Sequence, residues 1–234
     1  MTDEIRPLVV AVDGPAGSGK SSVCRGTAAR LGWHYLDTGA MYRAMTWAVL
    51  AAGIDPDDEQ AVAGFAKKPD ISSGVNPYQP TIEVDGIDVS EEIREDRITS
   101  AVSAVSAVPK VRQLLVQKQR DAAQTAIRSG VGIVVEGRDT TTVVLPNAQL
   151  KIFLTADPEV RAQRRALEQS ADGAPAAAAV QATEAALARR DQLDSTRQTS
   201  PLTKATDAIE LDTSTLTLDE VIAKVVEYAK QAAR

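Results

Sequence analysis

The stretch VDGPAGSGKSS, Val12 to Ser22, decides the fold. An apolar, β-branched run, LVVAV (Leu8–Val12), leads into it, and VCRGTAARLG, an amphipathic helical pattern, follows it. A strand, a glycine-rich turn and a helix in that order form a cradle for a polyphosphate. Backbone N–H groups turn inward, and the helix N-terminus favours negative charge. Gly14, Pro15, Ala16, Gly17, Ser18, Gly19, Lys20 and Ser21 match G-x-x-x-x-G-K-[ST] in full, and Ser22 extends the candidate phosphate-binding set into the helix. In this motif the lysine reaches the β- and γ-phosphates of a nucleotide, and the Ser21 hydroxyl is the candidate Mg²⁺ ligand. A chance turn is the bland alternative, and both flanking elements weigh against it. The loop alone leaves open a switch, a motor or a transfer.

At 234 residues the chain can bury one sizeable core with a small appendage. Aromatic residues make up only 3%, so the core must be built from Val, Ile, Leu and Ala. The net charge of −6 argues against coating nucleic acid through general basicity, while leaving room for a local basic pocket. Cys24 is the only cysteine and His34 the only histidine, which excludes an internal disulfide and a Cys/His zinc cluster. Both read as structural residues. No apolar run reaches transmembrane length and no leader pattern is seen, so the expectation is a cytoplasmic monomer with no membrane or nucleic-acid partner.

Five short apolar segments punctuate the sequence: 8–12, 33–36, 132–136, 150–156 and 208–212. The first, third and fourth are nearly continuous, which suits parallel strands covered on both faces. Helical patterns lie between them. One spans Ser21–Leu31. A second spans Ala40–Ala52, with Thr38 as its expected N-cap. A third runs from Pro109 to Ser129, and a fourth follows a capping box, Thr217 to Glu220. This alternation predicts an α/β domain. TIEVDGIDVS, Thr81–Ser90, breaks the rhythm: it alternates around Asp85-Gly86, a two-residue hairpin signal, and marks 67–100 as an insertion. The alanine-rich stretch Ser170–Ala182 reads as a loop running into a helix.

A GTPase would carry N-K-x-D and D-x-x-G after the loop, and neither is found. Polar motifs instead follow the strands, where ligands of α/β sheets bind. Asp37, Thr38 and Arg43 follow the second strand, Arg138 and Asp139 the third, and Arg161, Arg164 and Arg165 the fourth. Arg189, Arg190, Asp191, Asp194 and Arg197 come later. Arg161, Arg164 and Arg165 alone could be a solvated helix face. Together, so many arginines at one edge of an acidic chain suit phosphoryl transfer between two anions, which needs cations to neutralise charge in the transition state.

GPAGSGKSS, LDTGAMYRA, TIEVDGIDVSEEIR, SAVSAVPKVR, VEGRDTTTVV, LARRDQLDSTR and PL (201–202) occur in this order over nearly the whole chain. Together they resemble the bacterial cytidylate kinases, and the hairpin insertion is the most distinctive mark. The resemblance implies a P-loop nucleoside monophosphate kinase fold: a five-stranded parallel sheet with helices on both faces, a β-containing acceptor insertion and a short lid. The core would be 1–66 and 101–234, the insertion 67–100 and the lid about 157–175. The implied activity is phosphorylation of CMP and dCMP by ATP with Mg²⁺, in pyrimidine nucleotide metabolism.

Carried over by position, Arg43 and Arg138 hold the acceptor phosphate, with Thr38 where serine or threonine is usual. Ser103, Arg112 and Asp139 read cytosine, and Asp194 meets the sugar hydroxyl. Arg190 and Arg197 lie near the phosphates. The implied catalytic set is Lys20, Arg138, Arg161, Arg190 and Arg197, the lid contributing from Arg161, Arg164 or Arg165. Independently, a carboxylate can accept from the cytosine N4 amino group while a guanidinium donates to the N3/O2 edge; uracil reverses that polarity. Rival readings are a kinase of the same fold for UMP or AMP, and a non-catalytic ATP-binding regulatory protein. Two departures stand out: Thr141 replaces the family's usual glycine, bringing a β-branched residue to a place where positive φ is expected, and Leu193 replaces a common charge.

Overall fold

A computed structural model describes residues 5–169, 176–197 and 199–234, apart from the side chain of Gln169. In chain order the elements are β1 (Val9–Asp13), α1 (Lys20–Leu31), β2 (His34–Asp37), α2 (Thr38–Ala51), α3 (Glu59–Phe65), β3 (Ile71–Ser73), β4 (Ile82–Val84) and β5 (Ile87–Asp88). There follow α4 (Asp96–Ala107), α5 (Pro109–Arg128), β6 (Ile133–Glu136), β7 (Leu150–Thr155), α6 (Pro158–Gln169), α7 (Ala177–Thr196), β8 (Ile209–Asp212) and α8 (Leu218–Ala232). Residues 170–175, shared by the expected lid and the alanine-rich stretch, lie outside the described residues.

The five apolar segments form one sheet, β2-β6-β1-β7-β8, parallel throughout. β1 lies at its centre with β6 beside it, and both are almost wholly buried, as their continuous apolar runs require. β7 differs: Leu150, Ile152 and Leu154 are buried while Lys151, Phe153 and Thr155 are only half-covered. One face packs on α1 and α8 through Val23, Cys24, Ala28, Val221 and Val225. The other packs on α2, α4 and α5 through Met41, Met45, Val105, Val111 and Leu115.

A separate antiparallel sheet, β3-β4-β5, is built within 67–100. Its turn has Asp85 at φ 53° and Gly86 at φ 78°, two positive values in succession, matching the right-handed twist of the flanking strands. Ile71, Ile82 and Val84 turn inward and join the cluster formed with α2. The segment before β4 returns to the core, where Tyr35 N–H donates to Val75 O (2.9 Å) and Arg25 to Pro77 O (3.2 Å).

The N-cap of α2 differs from expectation. Asp37, not Thr38, caps the helix, its Oδ1 accepting from Ala40 N–H at 3.0 Å. Thr38 is already helical, and its hydroxyl instead donates to Glu136 O (2.7 Å), tying α2 to the end of β6. The capping box at Thr217 and Glu220 forms as read.

Between β2 and β6, Trp33 lies flat on Gly132, where an added Cβ would come 2.3 Å from the indole Cδ2. Gly132→Ala is therefore expected to displace Trp33 and cost about 1–3 kcal/mol, the usual penalty of overpacking. A urea midpoint unchanged from wild type would contradict this packing.

Candidate active site

The phosphate loop leaves β1 at Gly14, whose φ of +150° and close approach to β7 leave no room for a side chain. A Cβ there would lie 2.2 Å from Leu154 O. Gly19, at φ 84°, then turns the chain into α1. Lys20 folds back over the loop, its Nζ donating to Gly14 O and Pro15 O, both at 2.7 Å. Burial, reinforced by Arg138 nearby, lowers its pKa to about 7.

Asp13, the last residue of β1, is fully buried and accepts three hydrogen bonds. They come from Thr140 N–H (2.8 Å), Thr141 N–H (2.7 Å) and Thr141 Oγ1 (2.6 Å). Burial raises its pKa, and the three donors work against that rise. They belong to Thr140–Val144, a single wide turn of π-helix in which Leu145 N–H donates to Thr140 O. Thr141 thus sits in right-handed helical backbone and needs no positive φ; among the described residues only Asp85 and Ser200 have one without being glycine. The threonine that departs from the family pattern contributes a hydroxyl to Asp13 instead.

A second buried carboxylate, Glu136, ends β6 and accepts from Tyr35 Oη. Burial, then the nearby Asp37, raises its pKa to about 7, while Lys20 and hydrogen bonds from Tyr35 and Ser21 pull it down. Ser21, Asp37 and Glu136 line one cavity with Lys20. A hydroxyl beside carboxylates is an oxygen-only donor set that fits Mg²⁺, which keeps several waters and phosphate oxygens of its own. Among the described residues no cluster of three acidic, Cys or His ligands exists, so the protein alone offers no closed cage.

That cavity, of about 810 Å³, runs from the phosphate loop to Ser103, Arg112 and Asp139. It gathers Thr38, Arg43, Arg138, Arg165, Arg190, Asp194 and Arg197 from segments far apart in sequence. Arg138 donates to Gly14 O (2.6 Å) and Asp194 (2.8 Å), bridging the loop and α7. Arg197 lies 3.7 Å from the same carboxylate and donates to Ser200 O. Arg43 donates to Ile93 O and to Thr99 Oγ1 (2.9 Å). Arg190 Nε finds no partner among the described residues. Burial first, then neighbouring arginines, lowers Arg43 and Arg190 to about 10. At the far end Arg112 pairs with Asp139, both sealed from solvent, and the guanidinium lies 5.3 Å from the Tyr42 ring centroid.

The three arginines of α6 part company. Arg161 donates to Ala16 O and pairs with Asp191. Arg164 donates to Thr213 Oγ1 and O. Arg165, held among the described residues only by Glu168 on its own helix, lines the cavity. Cys24 is buried in the core, where burial pushes its thiol pKa up.

A sequence model of the family described as cytidylate kinase matches residues 10–231. The chain belongs to the cytidylate kinase family. A cytidylate kinase of Streptomyces avermitilis is 54% identical over 225 residues, covering 96% of this chain and 93% of that protein. One of Geobacillus kaustophilus is 44% identical over 226 residues, covering 97% and 98%. A solved structure of an uncharacterized protein from Eubacterium ventriosum has a TM-score of 0.50 at 11% identity, covering 97% of this chain and 99% of that one, and so shares the fold alone. As a member of this family the chain is a kinase, a phosphotransferase with the P-loop fold. Among the described residues no helix is long and apolar enough to cross a membrane.

For a cytidylate kinase family member, three polar residues at this site went unread in the sequence. Asp13 carried one signal, its place at the carboxyl end of β1. Tyr35 reads as one more apolar strand residue, and Tyr42 as a helix core residue. Their hydroxyls and ring faces matter only once β6 and α5 stand beside them.

Thr141→Val keeps the shape of the side chain and removes its hydroxyl from Asp13. Loss of that buried, charge-assisted bond is expected to lower stability by about 1–3 kcal/mol. Chemical denaturation measures it, and an unchanged midpoint would show that Asp13 does not depend on the hydroxyl.

Proposed function

We propose that the chain transfers the γ-phosphoryl group of ATP to CMP and dCMP, yielding CDP and dCDP. The observation that carries this reading is the buried Arg112–Asp139 pair opening onto the same cavity as the phosphate loop. The Asp139 carboxylate suits the cytosine N4 amino group, and Arg112, steadied by Tyr42, suits the N3/O2 edge. Ser103 on α4 adds a hydroxyl beside them. Uracil would leave both charges mispaired in a desolvated pocket, a costly outcome.

Donor binding falls to Gly14–Ser22, with Lys20 released from the carbonyls of Gly14 and Pro15 to the β- and γ-phosphates. Mg²⁺, when bound at Ser21, supplies charge neutralisation between the donor phosphates. Arg43 and Arg138 face the acceptor phosphate, with Thr38 at its side and Asp194 toward the sugar. Arg190 and Arg197 complete the cationic wall around the transferred group. Of the lid arginines, Arg165 is the one that lines the cavity and would close on it, while Arg161 acts from the loop. The acceptor oxygen is already ionised, so no general base is required, and rate comes from positioning and charge neutralisation. The insertion, 67–100, and the lid, about 157–175, would close over the acceptor and exclude water, whose attack on ATP is the competing reaction. One chain supplies every residue of this reading, in keeping with a monomeric, cytoplasmic enzyme of pyrimidine nucleotide metabolism.

Product formation from ATP with CMP, dCMP, UMP or AMP tests the assignment. CDP and dCDP should form fastest, and equal or better turnover of AMP would sink it; ATP binding with no diphosphate formed would favour a regulatory role. Asp139→Asn should shrink the CMP-over-UMP preference in kcat/KM by about tenfold or more, since the amide can no longer accept from N4 with a full charge. An unchanged ratio would place base reading elsewhere.

A further inference from the structure

Ala16, on the crest of the phosphate loop, is held through both of its backbone polar groups by side chains from α6 and α7. Its N–H donates to Asp191 Oδ1 at 3.0 Å, and its carbonyl accepts from Arg161 at 3.1 Å. Asp191 and Arg161 also pair with each other, at 18% and 12% side-chain exposure, so the contact is largely screened from solvent. Next to it the loop is packed as tightly as it can be. A Cβ on Gly17 would lie 2.9 Å from Arg161 O and 3.3 Å from Leu187 Cδ1, one on each helix. A second strut runs parallel: Arg164 donates to Thr213, whose hydroxyl lies 3.3 Å from Ser18 O.

We infer that Asp191 is a positioning residue for the phosphate loop, clamping Ala16 together with Arg161 so that the loop's remaining N–H groups stay turned inward for the donor phosphates. The inference rests on the reading of Gly14–Ser22 as the ATP site. A carboxylate this close to a polyphosphate is unfavourable unless neutralised, and the Arg161 pair neutralises it. Catalytic loops of this kind gain from preorganisation, because donors already aimed need no rearrangement when the anion arrives. The clamp also ties the loop to α6 and α7. Acceptor recognition through Arg112 and Asp139 lies at the other end of the cavity and does not share the clamp.

Amide exchange by NMR and nucleotide binding by calorimetry, on the full chain, test this. Asp191→Ala is expected to speed exchange of the Ala16 amide and to weaken ATP binding by about tenfold, the size of one lost charge-assisted hydrogen bond, with CMP binding unchanged. Combining it with Arg161→Ala should add little, because the two act as a unit. Asp191→Asn keeps an acceptor for Ala16 and should weaken ATP binding by a smaller factor; it carries the test if the alanine variant does not fold. Unchanged ATP affinity in the folded Asp191 variant, fully additive losses, or an equal loss for CMP overturns the clamp. Lys20→Ala separates the two layers: if it leaves ATP affinity at the wild-type value, the phosphate-loop reading itself fails. If it weakens ATP while the Asp191 variant does not, only the clamp fails.

Discussion

Everything at this site hangs on the buried carboxylate of Asp13. It is the residue immediately before the phosphate loop, and it binds the two residues immediately after Asp139. One side chain therefore fixes the phosphate loop and the turn after Asp139 to each other across 127 positions of sequence. Burying a carboxylate is costly, as its raised pKa records, and only a full set of donors offsets that cost. Two backbone N–H groups and a threonine hydroxyl supply the set. The two backbone donors open the turn, where N–H groups have no partner within the helix itself.

A second constraint is mutual repulsion among cations. Arg43, Arg138, Arg165 and Arg190 face one cavity, where burial first and then the neighbouring arginines lower the proton affinity of Arg43 and Arg190. Such crowding weakens the folded state unless something on the same cavity offsets it, and Asp194 does so only in part, serving Arg138 and Arg197 at once. A wall of this kind is complementary to phosphates and to the charge that develops on a phosphoryl group in flight. Stability is given up where binding of anions regains it.

The sheet was legible because apolar strands and glycine-marked helix ends are local signals. The Asp85-Gly86 hairpin was legible for the same reason, and its two positive φ values are what that dipeptide demands. Cap placement at α2 was misread, since Asp37 and Thr38 both make good caps and only the carbonyl of Glu136, 98 positions away, decides between them. Roles within the arginine triplet Arg161, Arg164 and Arg165 were not legible. Their i, i+3, i+4 spacing puts them on one side of α6, and which of them reaches the cavity depends on Asp191 and Thr213, partners the triplet itself does not reveal. Thr141 raised a backbone question that its right-handed helical conformation answers.

Buried ion pairs are poor sources of stability, because desolvation takes back most of what attraction gives. Beside the local Arg197–Asp194 pair, the site nevertheless contains three largely buried pairs between distant segments among the described residues: Arg112–Asp139, Arg138–Asp194 and Arg161–Asp191. Each joins segments distant in sequence, and each presents a charge at a fixed place. Arg112–Asp139 faces the end of the cavity beside Ser103, Arg138–Asp194 the space between loop and α7, and Arg161–Asp191 the crest of the loop itself. A hydrophobic replacement of equal volume could hold the helices together as well, but it could not set a hydrogen-bonding polarity in the cavity or a direction for a backbone amide. The pairs are thus better understood as fixing which groups point where, and the apolar clusters on the two faces of the sheet as supplying the stability that permits them.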